Sequence, residues 1–187
     1  MERTDIDGIL RFSEEVRELK VVDRVGWKRR GILSPESVAE HSFCVAMLAM
    51  VLADIEGLDT LKVVKMSLLH DLAETRLLDL DPKAKRYFDK KTRQTAKERV
   101  MAEILTSLPQ HIRAEYLQLW EEYEDGVTPE SRLVKQVDSL EMLIQAKQYE
   151  EYGHVGLDEW WQNPYDFERI PLLLYKLLNS KRSAQKR

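Results

Sequence analysis

Three features of this 187-residue sequence predict an all-α fold. Glycine and proline number only seven and six, too few to punctuate a many-stranded sheet. Long stretches are rich in Leu, Glu, Lys, Ala and Arg, which lose little side-chain freedom on entering a helix. Apolar residues recur at spacings of three and four, so that one face of each stretch can be buried. With 43% hydrophobic residues and no repeat or low-complexity segment, the chain reads as a single helical bundle, one domain over residues 1–187 with a sizeable core.

Phe12, Val16 and Leu19 predict a first helix over about residues 9–19. An irregular basic connector follows from Lys20 to Pro35, with Arg24, Gly26, Trp27, Lys28, Arg29, Arg30 and Gly31; it is where an anion is expected. Ser37 and Glu40 have capping-box spacing, although Ser34 before Pro35 and Glu36 offers a start one turn earlier. From either start Val38, His41, Val45, Leu48 and Leu52 share a face, which turns the His41 imidazole inward, and Gly57 ends the helix. The next helix, over about residues 60–72, feeds the core with Leu61, Val64, Leu68 and Leu69 and ends on His70 and Asp71. After a loop with Asp79, Leu80, Asp81 and Pro82, helices are predicted over about 91–107 and 109–123. Thr128 as N-cap and Pro129 at the first helical position start a helix reaching about Tyr152, striped by Leu133, Val137, Leu140 and Ile144 with Asp138 beside the stripe. Gly153 stops it, and a final helix includes Leu172 to Leu178, with residues 181–187 as a frayed basic tail.

Composition excludes several classes. A net charge of −4 spread over residues of both signs lacks the basic field of a nucleic-acid polymer binder. Cys44 has no partner for an internal disulfide; beside Phe43, Val45 and Ala46 it reads as a small buried apolar residue, in keeping with a reducing cytoplasm. The best apolar run, Val45 to Ala53, is too short to span a bilayer, and no signal-peptide core follows Met1, so no membrane partner is expected. Lys28, Arg29 and Arg30 read as mostly solvated, Glu121, Glu122 and Glu124 as a helix exterior, and His111 and His154 as surface or capping residues. Trp160 and Trp161, with Tyr165 and Phe167, read as packing for the last helix, an apolar face of the kind through which small bundles also associate.

The chemistry concentrates in His41, His70, Asp71 and Asp138. Imidazole nitrogen and carboxylate oxygen suit a divalent ion, and two of each leave positions free for water and substrate. The bland alternative has His70 and Asp71 capping helix and turn, His41 hydrogen-bonded in the core and Asp138 paired with a lysine. Glu74, four residues after His70, and Asp79 in the loop beyond favour a site, because acids beside a cation can move protons or bind hydroxyls.

In this order, His41, His70-Asp71 and Asp138 resemble the H...HD...D pattern of the HD-domain superfamily of metal-dependent phosphohydrolases. Leu19-Lys20 through Arg24-Val25-Gly26-Trp27, Pro35 through His41, and His70-Asp71-Leu72-Ala73-Glu74 with Asp79 resemble its 5′-deoxynucleotidases more specifically. Leu119 to Glu124 and Val134 to Asp138 extend the likeness, which covers about residues 19–151. The resemblance implies an all-helical fold that hydrolyses deoxyribonucleoside 5′-monophosphates, with His41, His70, Asp71 and Asp138 as metal ligands. It further implies Glu74 as acid or base, Asp79 at the sugar or a second ion, and Arg24 and Trp27 at the phosphate. The cation would be Mn, Co, Fe, Zn, Ni or Mg, and the assembly a homodimer. Leu78 departs from the family, where a Gly before the Asp is common. Other readings of the same site are an HD-type phosphodiesterase, a nucleoside-triphosphate hydrolase, or a non-catalytic nucleotide-sensing adaptor.

Overall fold

The computed structural model describes residues 3–185, which form eleven helices and no strand beyond one isolated bridge between Asp23 and Ser37. Helix α1 (Arg3–Glu18) begins earlier than the apolar spacing predicts and carries Asp5 in its first turn, where a carboxylate complements the helix dipole. The basic connector contains a single-turn helix, α2 (Val25–Lys28). Ser37, not Ser34, caps α3 (Val38–Glu56): its hydroxyl accepts from the Glu40 amide while the Glu40 carboxylate accepts from the Ser37 amide. Gly57, at φ 69°, closes this helix in the left-handed conformation.

Helix α4 (Thr60–Leu69) is shorter than predicted. It ends at His70, and residues 70–73 form turns before the short α5 (Glu74–Leu77), so His70 and Glu74 do not share one helix. Asp81 and Asp89 cap α6 (Pro82–Lys85) and α7 (Lys90–Leu105) through side-chain oxygens. Helices α8 (Gln110–Asp125) and α9 (Pro129–Glu151) follow, the second capped by Thr128 as expected, then α10 (Asp158–Trp161) and α11 (Arg169–Gln185).

Helices α3, α4 and α9 pack together at the centre, α8 closes against α4 and α9, and α10 and α11 lie on α9. Two apolar clusters result. One joins Val38, Val45, Val63, Met66, Trp120 and Val137; the other joins Trp27, Ile32, Leu140, Leu143, Trp160 and Phe167. Helix α9 supplies both, and Asp138 stands between Val137 of the first and Leu140 of the second.

Helix phase accounts for the corrections. In α4 the buried apolar set is Val63, Met66 and Leu69, whereas Leu61 and Leu68 face outward, because apolar residues spread round the segment leave its rotation undetermined by pattern. In α9 Leu143 is buried and Ile144 exposed. Burying His41, Val45, Ala49 and Leu52 forces Cys44 to the surface beside exposed Phe43, so Cys44 is not a core residue. The whole of α3, with mean hydropathy 1.7, is long and apolar enough to cross a membrane by composition, but His41 and its inner face are buried in the bundle.

The basic tail is helical as far as Gln185, while Lys186 and Arg187 lie outside the described residues. Arg182 anchors this helix, with two 2.7 Å bonds to the Glu150 carboxylate, one to Asp158, and its guanidinium over the Trp161 ring. Trp160 and Trp161 are buried within the protomer, Trp160 stacked on Trp27 at 4.6 Å, and so do not form an outer face.

Gly8 of α1 packs against the turn that follows α7 at a close crossing of backbone on backbone, since a Cβ there would lie 1.9 Å from the Ser107 carbonyl oxygen. Alanine normally stabilises a helix interior over glycine by about 1 kcal/mol. Here Gly8→Ala is expected to destabilise by about 1–3 kcal/mol, as overpacking does. Denaturant unfolding checks the sign, and a stabilised variant would refute the crossing.

Candidate metal centre

Three central helices bring the four predicted ligands together. His41 comes from the first turns of α3, His70 and Asp71 from the end of α4, and Asp138 from the middle of α9. Nε2 of His41 is 3.1 Å from Asp138 Oδ1, and Nε2 of His70 is 3.2 Å from Asp71 Oδ2. The imidazole centroids are 5.6 Å apart, and His41, His70 and Asp71 can each direct a donor atom into a space less than 4.8 Å across. Both imidazoles are buried.

The outer ring nitrogens are already engaged. Nδ1 of His70 lies 2.6 Å from the Ser67 carbonyl oxygen, which can only accept, so this nitrogen carries the proton. Nε2, also buried, has the Asp71 carboxylate beside it, and in a neutral ring it would be a lone pair. Nδ1 of His41 lies 2.5 Å from Oε2 of the buried Glu141. Once neutral, imidazoles each oriented by an outer acceptor and directed at a pair of carboxylates are the donor set a divalent cation requires, so these residues fit one.

In the bare chain, protons take the place of such a cation. Burial and Arg24 oppose charge on His41, yet its hydrogen bonds to Asp138 and Glu141 prevail and push it up to about 10. Burial likewise opposes a charged His70, which Asp71 raises. Burial would raise Asp71 and Asp138, but the imidazoles beside them, with Arg24 next to Asp71, hold both below the usual carboxylate range. Protons on the histidines thus supply the positive charge that these carboxylates demand.

The centre opens into a cavity of about 870 Å³, the size range of small-molecule sites. Arg24 extends Nη1 to within 3.4 Å of Asp71 Oδ2 at its floor. Burial disfavours the guanidinium charge, but Asp71, Asp138, Asp79 and Glu74 around it more than offset that. Glu74 has a buried carboxyl oxygen without a partner, and burial, then Asp71 and Asp79, push it up to about 9. Asp79 accepts the Val25 amide at 2.8 Å and so ties its loop to the Arg24 connector.

Trp27 is only 2% exposed, and its indole N–H is donated to Glu36 Oε1 at 2.8 Å. It therefore forms a wall of the cavity, with its N–H already engaged. Lys83, Lys85, Arg93 and Lys97 line the cavity beyond Glu74.

Sequence reasoning missed three residues. Glu141 follows Asp138 by three positions on α9, a spacing that puts both carboxylates on one face. Glu36, raised to about 7 by burial and then by Glu141, completes a second close group with His41. Tyr123 packs its ring edge-on to His70 at 5.5 Å, with its hydroxyl 3.5 Å from Asp138 Oδ2. Nor are the neighbouring acids a bare exterior: Glu122 pairs with Lys62 and Glu124 with Lys97.

Fold and centre define a helical protein built round two buried histidines and two half-buried aspartates. Residues 16–169 match the HD domain family, and the chain belongs to it. It is 38% identical over 144 residues to a Mus musculus protein named 5′-deoxynucleotidase HDDC2, covering 77% of this chain and 71% of that one. The Homo sapiens protein of the same name is 38% identical over 147 residues, covering 79% and 71%. A conserved hypothetical protein from Pyrococcus furiosus has a solved structure with TM-score 0.76 and 34% identity, covering 95% of this chain and 99% of that one. A solved structure titled predicted metal-dependent phosphohydrolase, from Magnetospirillum magnetotacticum, shares the fold at TM-score 0.73 and 22% identity, covering 98% and 95%.

The loop holding Asp79 is strained. Leu78 has φ 61° and ψ 167°, a region open essentially to glycine alone, and its side chain is 59% exposed. Leu78→Gly is expected to stabilise the chain by about 1–3 kcal/mol, the usual cost of such a residue, less some added chain entropy. Thermal or denaturant unfolding checks this; a destabilised variant would show that leucine is not strained there.

Proposed function

We propose that this chain is a metal-dependent 5′-deoxynucleotidase, hydrolysing deoxyribonucleoside 5′-monophosphates to the deoxyribonucleoside and phosphate. The observation that carries the reading is the convergence of His41, His70 and Asp71, whose donor atoms lie within 4.8 Å of one another, beside a cavity lined by Asp71, Asp138 and Arg24. The relatives named 5′-deoxynucleotidase, matched over more than two thirds of both chains, support the substrate class.

In this reading His41, His70, Asp71 and Asp138 hold the cation. A bound divalent cation supplies Lewis acidity toward phosphoryl oxygens and makes water acidic enough to act near neutral pH. The remaining work belongs to the chain. Arg24, charged and fixed beside Asp71, presents a planar fork that orients the phosphate. Glu74, kept protonated by burial, gives its proton to the leaving 5′-oxygen as the phosphorus–oxygen bond breaks, then regains one from the attacking water. Asp79, one oxygen engaged by the Val25 amide, offers the other to a sugar hydroxyl or to a second ion. Trp27, held through Glu36, is the wall against which the phosphate end is positioned.

The reading includes a homodimer. It is supported by the outward stripe of α3, where Phe43, Met47, Val51 and Ile55 recur every fourth residue and stay exposed. A cytoplasmic setting is supported by the single cysteine, which cannot form an internal disulfide.

Metal-stripped protein reloaded with Mn, Co, Zn, Fe, Ni or Mg, and assayed against every deoxyribo- and ribonucleoside monophosphate, tests substrate and cation together. Phosphate release from deoxyribonucleotides, abolished by a chelator, is expected. Failure on all of them, with turnover of a cyclic dinucleotide or a nucleoside triphosphate, would replace this reading with that of an HD-type phosphodiesterase or triphosphate hydrolase.

Two variants separate catalyst from clamp. Glu74→Ala is expected to lower kcat by about 10²–10⁴, the worth of general acid–base catalysis, while retaining metal. His70→Ala is expected to lose metal and turnover together. Full activity of Glu74→Ala would remove Glu74 from the chemistry, and an inactive, stable wild type would point to a sensor.

A further inference from the structure

We infer that Glu141 is a positioning residue for the cation, acting through His41: it holds the proton on Nδ1 and so turns the Nε2 lone pair into the centre. The inference rests on the metal site proposed above and adds a residue to it. Asp138 and Glu141 lie three positions apart on α9 and take hold of opposite nitrogens of one imidazole, at 3.1 and 2.5 Å. The Glu141 side chain is 6% exposed and makes its contact from the core.

The two histidines are oriented differently. His70 is held by a backbone carbonyl, that of Ser67, whose position the helix itself dictates. His41 depends on a side chain, and a carboxylate makes the imidazole a stronger donor than a carbonyl does. Glu141 is itself backed. Glu36 brings a carboxylate oxygen within 4.8 Å of donor atoms of Glu141 and His41, and is held by the Trp27 N–H at 2.8 Å. The Glu36 amide in turn donates to the Tyr149 hydroxyl at 2.8 Å. Trp27, Glu36, Glu141 and His41 thus follow one another from the cavity wall inward, with hydrogen bonds at the first and last steps.

Cobalt(II) titration of the metal-stripped full chain, followed by visible absorption, tests this without any turnover measurement. Glu141→Ala is expected to weaken cobalt binding about 10- to 100-fold, as loss of an outer partner of a metal-bound histidine does. Glu141→Gln, which keeps an acceptor but loses the charge, is expected to weaken it by a smaller factor; it carries the test if the alanine variant does not fold. In a His41→Ala background, Glu141→Ala is expected to cause no further loss, because the two act as one unit.

Affinities unchanged in both Glu141 variants would overturn the inference. An equal loss with and without His41 would also overturn it. A purely structural Glu141 lowers the melting temperature of the metal-free chain and leaves cobalt affinity alone, which counts against it too. Wild type that binds no cobalt overturns the metal reading itself and the role of Glu141 with it, a result distinct from wild type and variants binding alike.

Discussion

The half-buried carboxylates of Asp71, just after α4, and of Asp138 on α9 are packed against two buried imidazoles, and that charge must be balanced where it lies. An unpaired ion in such surroundings costs several kcal/mol, so the arrangement persists only with positive charge among the oxygens. Protons on His41 and His70, with Arg24 beside Asp71, meet that demand in the bare chain. The rest of the bundle serves the same end. The capping box at Ser37 sets where His41 emerges, the end of α4 sets His70 and Asp71, and the long α9 carries Asp138 and Glu141 on one face.

Elements with strong local signals were legible in the sequence. Thr128-Pro129 starts α9 and Gly57 ends α3, because capping and left-handed closure are decided by neighbouring residues. Helix rotation was less legible. A segment such as Thr60 to Leu69, with apolar residues on more than one side, offers several faces that could be buried, and only the packing of α3, α8 and α9 selects Val63, Met66 and Leu69. The break after Leu69 has no glycine or proline to announce it, so Glu74 reaches the cavity from its own short helix.

The clustering of His41, His70, Asp71 and Asp138 was legible because these residue types are costly on the apolar side of a helix. Its supports were not. Glu141 is one glutamate in a chain where a third of the residues are charged, and only the fold shows it facing His41. Trp27 shows the converse. Its type and place suggest a direct role at the phosphate, yet the fold commits its N–H to Glu36 and its ring to Trp160. Residues that touch substrate leave marks in a motif, whereas residues that orient them are fixed by tertiary contacts.

Asp138 stands at the seam between the two apolar clusters, on the helix that supplies both, and opposite it lie the ends of α3 and α4. A ligand gripped across that seam acts as a stitch between separate parts of the core. By mass action it adds RT ln(1 + [L]/Kd) to the unfolding free energy, about 2.7 kcal/mol at a hundredfold excess over Kd. With an ion held there as proposed, the stability of the fold would depend on ion supply as well as on sequence.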